Sequence, residues 1–168
     1  DVYKRQVIML LALWCYQPKA VARQAAVLTV FDVGQGLSIL IQTHSHAMLY
    51  DTGEQSFYRD LQQNLLALGV RKLSLLMLSH HDQDHDGNWL NISRYWQVDK
   101  ILAGQARVYV AQHNRPVLSC RAGQAWNWDG VHFELLTLPA DGNTSDNDRS
   151  CILRIIADGK AILLVGDL

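Results

Sequence analysis

The sequence predicts a mixed α/β domain, and three observations carry that prediction. Short apolar or alternating runs are joined by turn-forming residues. Leu37–Gln42 reaches Ala47–Tyr50 through Thr43–His46, while Asp129-Gly130 and Asp158-Gly159 each separate two further runs. Phe57, Leu61, Leu65 and Leu68 recur at helical spacing and make one apolar stripe. The continuous apolar run Leu73–Leu78 reads as a strand of a sheet covered on both faces. A chain of 168 residues is enough for one core of this kind.

At the N-terminus, the apolar run from Val7 to Tyr16 is too short to cross a bilayer, which takes ~20 residues. Lys4-Arg5 before it and Ala20-Val21-Ala22 after it imitate a signal peptide. The alternative is the severed end of a transmembrane helix, with Trp14 and Tyr16 at the lipid interface and Pro18 ending it. Residues 1–6 read as a scar of cloning or sequence assembly. Residues 1–24 are thus expected to be the end of a membrane segment and a linker, ahead of a domain over 25–168.

Val27–Val33 is β-branched enough for a strand, and Leu37–Gln42 with Ala47–Tyr50 forms the first hairpin. Asp51-Thr52-Gly53 ends it. Ser56 is the expected N-cap of a helix over Phe57–Leu68, with Gly69 just past its end. After Leu73–Leu78 comes a polar loop, then a shorter helix from Trp89 to Trp96 whose two indoles belong in the core. Lys100–Ala103 and Arg107–Val110 read as short strands, and Ala111–Gln124 gives no clear pattern. Trp126–Trp128 with Val131–Leu135, and Cys151–Ile156 with Ala161–Val165, form two more hairpins, separated by a polar loop over Pro139–Arg149. Three cysteines without regular spacing argue against a disulfide framework, so Cys15 and Cys151 are read as packing residues.

The chemistry is concentrated in Ser79-His80-His81-Asp82-Gln83-Asp84-His85-Asp86-Gly87, where six of nine residues are imidazoles or carboxylates. Burying so many titratable groups beside a strand costs several kcal/mol unless they are paired or bound to metal. A metal is the simplest explanation, at the carboxyl end of a buried strand where α/β folds place ligands. His80 and Asp82 point the same way in extended chain and would share one cation, leaving Asp84 and His85 to face a second. His44-x-His46 lies far away in sequence and reads as exposed loop. Overall charge is balanced, 15 Lys+Arg against 16 Asp+Glu, so nothing advertises a strong basic field. Any contact with nucleic acid must be local or helped by bound metal.

His80-x-Asp82-x-Asp84-His85 resembles the H-x-[HD]-x-D-H signature of the metallo-β-lactamase fold. With Asp32-Val33-Gly34-Gln35-Gly36 upstream, Asp51-Thr52-Gly53, Cys151–Ile155 and Gly166-Asp167-Leu168 in order, the chain from about Leu28 onward is similar to the metallo-β-lactamase-like domain of ComEC-type competence proteins. Those are inner-membrane channels that carry single-stranded DNA into naturally transformable bacteria. The resemblance implies an αββα sandwich, C-terminally truncated here, and favours the transmembrane reading of the N-terminus. It places the domain on the periplasmic or outer side of the inner membrane, beside the channel portion of the same polypeptide.

The resemblance also implies a site. His80, Asp82, Asp84, His85 and Asp167 would ligate two divalent ions, Asp84 would be the catalytic carboxylate, and Asp167 would bridge both metals. Asp82 stands where most of the superfamily has His; the harder ligand shifts preference from zinc towards manganese, leaving Mn or Zn open. Asp32, Gln35 and Asp51 would brace the metal loop, and Asn147 and Ser150 would hydrogen-bond a substrate phosphate. Two metals suit phosphodiester hydrolysis, so the implied activity is a nuclease acting on DNA, preferably single-stranded, during uptake. Three departures stand against this pattern. Leu138-Pro139 replaces a His-Pro, Asn88 replaces the second Gly after the loop, and the superfamily's final His would lie beyond Leu168. The rival readings are a non-catalytic DNA-binding or structural module of the channel, and a soluble hydrolase of small esters or lactams.

Overall fold

The computed structural model describes residues 2–15, 20–110, 116–138 and 145–168. Tyr16, Pro18, Pro139, Asn143 and Thr144 lie outside the described residues, and with them the expected helix stop and most of the polar loop.

In chain order the chain forms helix α1 (Val2–Cys15), then strands β1 (Val27–Val30), β2 (Ile39–Gln42) and β3 (Ala47–Tyr50). Helix α2 (Tyr58–Ala67) leads to β4 (Lys72–Leu73) and β5 (Leu75–Leu78). Short helices α3 (Gln83–Asp86) and α4 (Trp89–Tyr95) precede β6 (Gln97–Val98) and β7 (Ile101–Ala103). Helix α5 (Ala106–Val110), β8 (Val117–Ser119), β9 (Ala125–Trp128), β10 (Val131–Leu135), β11 (Leu153–Ala157) and β12 (Lys160–Leu164) complete it. No helix among the described residues is long and apolar enough to cross a membrane.

The large sheet runs β1-β2-β3-β5-β7-β8. Its first three strands are antiparallel, and β3, β5, β7 and β8 are parallel. The small sheet, β12-β11-β10-β9, is antiparallel throughout. The period of two along each strand splits the core into two clusters. Leu40, Leu49, Leu76 and Leu78 face Leu61 and Leu65 of α2 and Trp89 and Ile92 of α4. Ile41, Met48, Tyr50, Leu75 and Met77 face Phe133, Leu135, Leu153 and Ile155 of the small sheet. Helices, large sheet and small sheet therefore stack in that order. β5 is buried along its whole length because it has a neighbour on each face.

Four readings are corrected. The first strand ends at Val30, because the chain turns through Gly34 and Gly36, both at positive φ. Ser56 caps nothing: it sits inside a tight 3-10 turn, Gln55–Phe57, closed by Phe57 N donating to Glu54 O at 3.0 Å, and the helix starts only at Tyr58. Arg107–Val110 is helix, not strand. The Val-Tyr-Val sequence favours β locally, but Tyr109 is fully buried and its hydroxyl donates to Asp86 Oδ2 at 2.7 Å, which fixes the turn. Finally, Cys151 does more than pack: it forms a disulfide with Cys120, 31 residues away. The partners are invisible in sequence spacing because they meet only when the end of β8 and the start of β11 reach the same edge.

Candidate metal centre

The topology delivers the chemistry to one edge. β3 and β5 are parallel neighbours, so Asp51 after β3 and Ser79-His80 after β5 leave the sheet together. From the small sheet, Leu153 pairs with Leu164, which brings the segment before β11 and Gly166-Asp167 after β12 to the same place. Cys151 N donates to Ser79 O at 2.9 Å and Tyr50 Oη donates to Cys151 O at 2.6 Å, joining the two sheets at this edge.

His80, His85 and Asp167 come together, with one ligand atom of each lying within 4.8 Å of the others. Both imidazoles are buried and their ring centroids are 4.3 Å apart. Asp167 Oδ1 is 3.1 Å from His85 Nε2, and Asp84 Oδ2 is 4.0 Å from the same nitrogen. Asp167 is 46% exposed and Asp84 26%, so the cluster opens to solvent on its carboxylate side.

Asp51 fixes which nitrogens face the cluster. It is fully buried, at a φ of +58°. Its carboxylate accepts Ser79 N and Ser79 Oγ, each at 2.6 Å, and His85 Nδ1 at 2.9 Å. The Ser79 hydroxyl spends its only proton on Asp51 and so accepts from His80 Nδ1 at 2.9 Å. Nδ1 of both rings is thus engaged within the protein, and Nε2 of each is the atom turned to the cluster. Burial pushes the Asp51 carboxyl above the usual carboxylate range, against the hydrogen bonds from His85 and Ser79. Burial pulls His85 down, but the hydrogen bond and charge of Asp51, with Asp167 and Asp84, bring it above its ordinary value.

His80 Nε2 is buried and has no hydrogen-bond partner among the described residues. A buried acceptor left bare costs about 1–3 kcal/mol. Two imidazole nitrogens and a carboxylate converging on one point are the donor set a divalent cation takes, so these residues fit a metal.

The other sequence candidates are placed as follows. Asp82 is exposed and stands apart from the three, its Oδ1 accepting Gln83 N at 2.7 Å as the N-cap of α3. Asp32 is exposed and accepts Gly34 N at 3.3 Å, and Gln35 is exposed beside it. The contact with the metal loop is made instead by Gly36. It sits at φ +90°, where an added Cβ would lie 1.9 Å from Asp84 O, and Leu37 N donates to that same carbonyl at 3.2 Å. Asn147 is exposed on a 3-10 turn. Ser150 is buried, with its Oγ 2.8 Å from where a Cβ on Gly166 would stand and unpartnered among the described residues. His44 and His46 lie elsewhere: His44 Nδ1 is 2.8 Å from Val21 O, and His46 stacks on Trp128.

Three supporting residues escaped the sequence reading. Asp86, buried at the end of α3, accepts His81 Nδ1 at 2.5 Å and Tyr109 Oη at 2.7 Å. Its place inside the acidic run was the signal, but it faces the protein, not the cluster. Asn88 is fully buried and its Nδ2 donates to Thr52 O at 2.9 Å and Glu54 O at 2.7 Å, holding the loop after Asp51. Ser79 links Asp51 to His80, a role that nothing in its sequence context announced.

Comparison with known proteins agrees with this architecture. The profile of the metallo-beta-lactamase superfamily matches residues 31–168. The chain is 41% identical to competence protein ComA of Neisseria gonorrhoeae over 96% of its length and 23% of that protein's. It is 33% identical to recombination protein 2 of Haemophilus influenzae, covering 81% of the chain and 17% of the relative. The chain therefore spans less than a quarter of the length of these relatives. Among solved structures, a metallo-beta-lactamase from Cronobacter sakazakii superposes with a TM-score of 0.63 at 20% identity, covering 94% of this chain and 62% of that one. The enzyme BJP-1 of Bradyrhizobium japonicum gives 0.60 at 15% identity, over 88% and 60%. These two show the fold; the relatives bear out the resemblance to the competence-protein domain. The superfamily's members are usually hydrolytic metalloenzymes that bind divalent metal, and His80, His85 and Asp167 could hold one here. The chain belongs to the metallo-β-lactamase superfamily.

Proposed function

We propose that this domain is a metal-dependent phosphodiesterase that cuts DNA, preferably single-stranded, during its uptake by a competence channel. The observation that carries it is the convergence of His80 Nε2, His85 Nε2 and Asp167 at an edge open to solvent, in a chain 41% identical to a competence protein. His80, His85 and Asp167 would hold the first ion, and Asp84, with its Oδ2 4.0 Å from His85 Nε2, would offer the carboxylate for a second. Asp82 joins only by giving up its cap on Gln83. Bound Mn or Zn would activate water at neutral pH and offset charge on the phosphoryl oxygens. Asp51 holds His85 in its ligating tautomer through Nδ1, and Ser79 does the same for His80. Asp84 is the catalytic carboxylate, and Asn147, exposed on its 3-10 turn, is the side chain that would meet the substrate phosphate; the buried Ser150, expected beside it, packs against Gly166 instead.

Placement beside the membrane, on the periplasmic or outer side, belongs to the same proposal. The disulfide between Cys120 and Cys151 supports it, since such bonds persist in oxidising compartments and are rare in the cytosol.

The test is cleavage of a 5′-labelled single-stranded oligonucleotide with added Mn²⁺ or Zn²⁺ by the wild type and by Asp84→Asn. Cleavage that disappears in the variant supports the proposal. Metal binding without cleavage of DNA replaces it with hydrolysis of small esters. Neither binding nor cleavage leaves a non-catalytic module.

A further inference from the structure

Beside the metal cluster lies a second feature that the sequence did not announce. A cleft of about 650 Å³ opens along the same sheet edge, and His81, Arg107, Arg121 and Arg149 line it, with Asp146 as the one lining carboxylate among the described residues. The chain as a whole carries a formal charge of −1. Even with Arg149 set aside, Arg107 and Arg121 against Asp146 are a local excess of positive charge among the described residues, in a molecule that has none overall.

The cleft is built onto the metal loop. His81 N donates to Gln105 Oε1 at 2.7 Å, and Gly104 N donates to Leu78 O at 3.1 Å. Gly104 lies so close to its neighbours that a Cβ would meet Arg149 O at 2.2 Å and Ser79 O at 2.4 Å. The wall carrying Arg121 is tied in by Cys120, whose N donates to Ala103 O at 3.0 Å and whose sulfur is bonded to Cys151. The arginines are thus carried on segments fixed to the strand ends that bear His80 and Asp167.

His81 sits at the boundary. Its backbone follows His80, its Nδ1 is held by Asp86, and Tyr109 meets its ring edge-on at 5.5 Å. The side chain remains 44% exposed. A ring held by one nitrogen and still exposed to this extent is a platform on which an unpaired base can stack. Thr137 and Leu138, where the family has its His-Pro, line the same cleft.

The geometry points to a binding site for the phosphodiester backbone of a single strand, with Arg107 and Arg121 taking phosphates and His81 stacking the base nearest the metal. This rests on the nuclease reading and names how its substrate is held.

Binding is measured by fluorescence anisotropy of a short fluorescein-labelled oligothymidylate in EDTA, so that neither metal nor cleavage contributes. The variants are Arg107→Gln, Arg121→Gln and the double change. Arg59→Gln, an exposed charge on α2, is the control of equal charge. Circular dichroism confirms folding of each. Each cleft variant is expected to weaken binding about 3–10-fold, and the double variant to lower the slope of log K against log salt by about 1.4, from ~0.7 per phosphate contact. Arg59→Gln is expected to bind as the wild type does. Equal binding by all variants, an equal loss in Arg59→Gln, or no binding by the wild type would overturn the cleft. Cleft-dependent binding without metal-dependent cleavage would uphold the cleft and reject the nuclease. Cleavage with binding insensitive to Arg107 and Arg121 would do the reverse.

Discussion

The 2.9 Å hydrogen bond between Asp51 Oδ2 and His85 Nδ1 joins the end of one strand to a helix residue 34 positions later and decides which imidazole nitrogen is left for metal. Outer carboxylates of this kind typically matter 10–100-fold for metal affinity. Asp51→Asn is therefore expected to weaken Mn²⁺ or Zn²⁺ binding about 10–100-fold while the far-ultraviolet circular dichroism stays unchanged. Isothermal titration of the metal gives the number. Unchanged affinity would show that the tautomer is fixed without Asp51.

Gly36 supports Asp84 by having no side chain. At φ +90°, with a Cβ position 1.9 Å from Asp84 O, alanine strains the backbone and displaces the metal loop. The dihedral alone costs ~1–3 kcal/mol, and the clash adds to it. Gly36→Ala should lower the urea midpoint and also weaken metal binding. Gly123→Ala is the comparison, with positive φ and open space around it, and should show only the first effect.

The Cys120–Cys151 bond closes a separation of 31 residues. In the chain-entropy account, a loop of that size corresponds to about 3–4 kcal/mol. Reduction by dithiothreitol, or Cys120→Ser, is expected to cost 2–4 kcal/mol by urea denaturation, read by tryptophan fluorescence. A shift below about 0.5 kcal/mol would mean that the hydrogen bonds of Cys120 N and Cys151 N already hold these segments.

At the opposite end of the molecule Asp129 ties the two sheets together. Its carboxylate accepts Thr43 Oγ1 at 2.7 Å, Ser45 Oγ at 2.7 Å, Ser45 N at 2.8 Å and His46 Nδ1 at 3.1 Å. Burial works against the charge, but these hydrogen bonds outweigh it and hold the carboxyl well below the usual range. A depressed folded-state pKa stabilises the fold fully above the unfolded value of about 3.9. That contribution is lost as pH falls further, towards the folded value. The stability difference between wild type and Asp129→Asn should be constant from pH 7 to about pH 5 and shrink below about pH 4. Urea midpoints across that range check it, and a gap that widens on acidification would reverse the sign.

Much of the fold was legible because it is written locally. The hairpins at Asp129-Gly130 and Asp158-Gly159, the stripe of Leu61 and Leu65, and the apolar run Leu73–Leu78 each follow from a period or a turn residue, although the run expected as one strand divides at Ser74, Leu73 pairing with Val98 in β6 and Leu75–Leu78 forming β5. What failed was non-local. Tyr109 is drawn into a helix by Asp86, and Cys120 meets Cys151 only after two sheets have formed. The site divides the same way. His80, His85 and Asp167 converge, whereas Asp82 alternates with His80 in sequence but turns to cap α3, since the chain leaves extended conformation there. The arginine cleft was not visible, because Arg107, Arg121 and Arg149 are scattered over 42 positions (149 − 107) and meet only at strand ends.

The central claim is that His80, His85 and Asp167 form a metal centre and not an internal ion-pair network. The most direct measurement is titration of Mn²⁺ and Zn²⁺ into the chelator-treated protein, with His80→Ala and Asp167→Asn beside it. The account predicts saturable binding by the wild type that is lost in both variants, with His80→Ala remaining folded because the orphaned Nε2 goes with it. Wild-type protein that takes up neither metal, or variants that bind as tightly as the wild type, would contradict it.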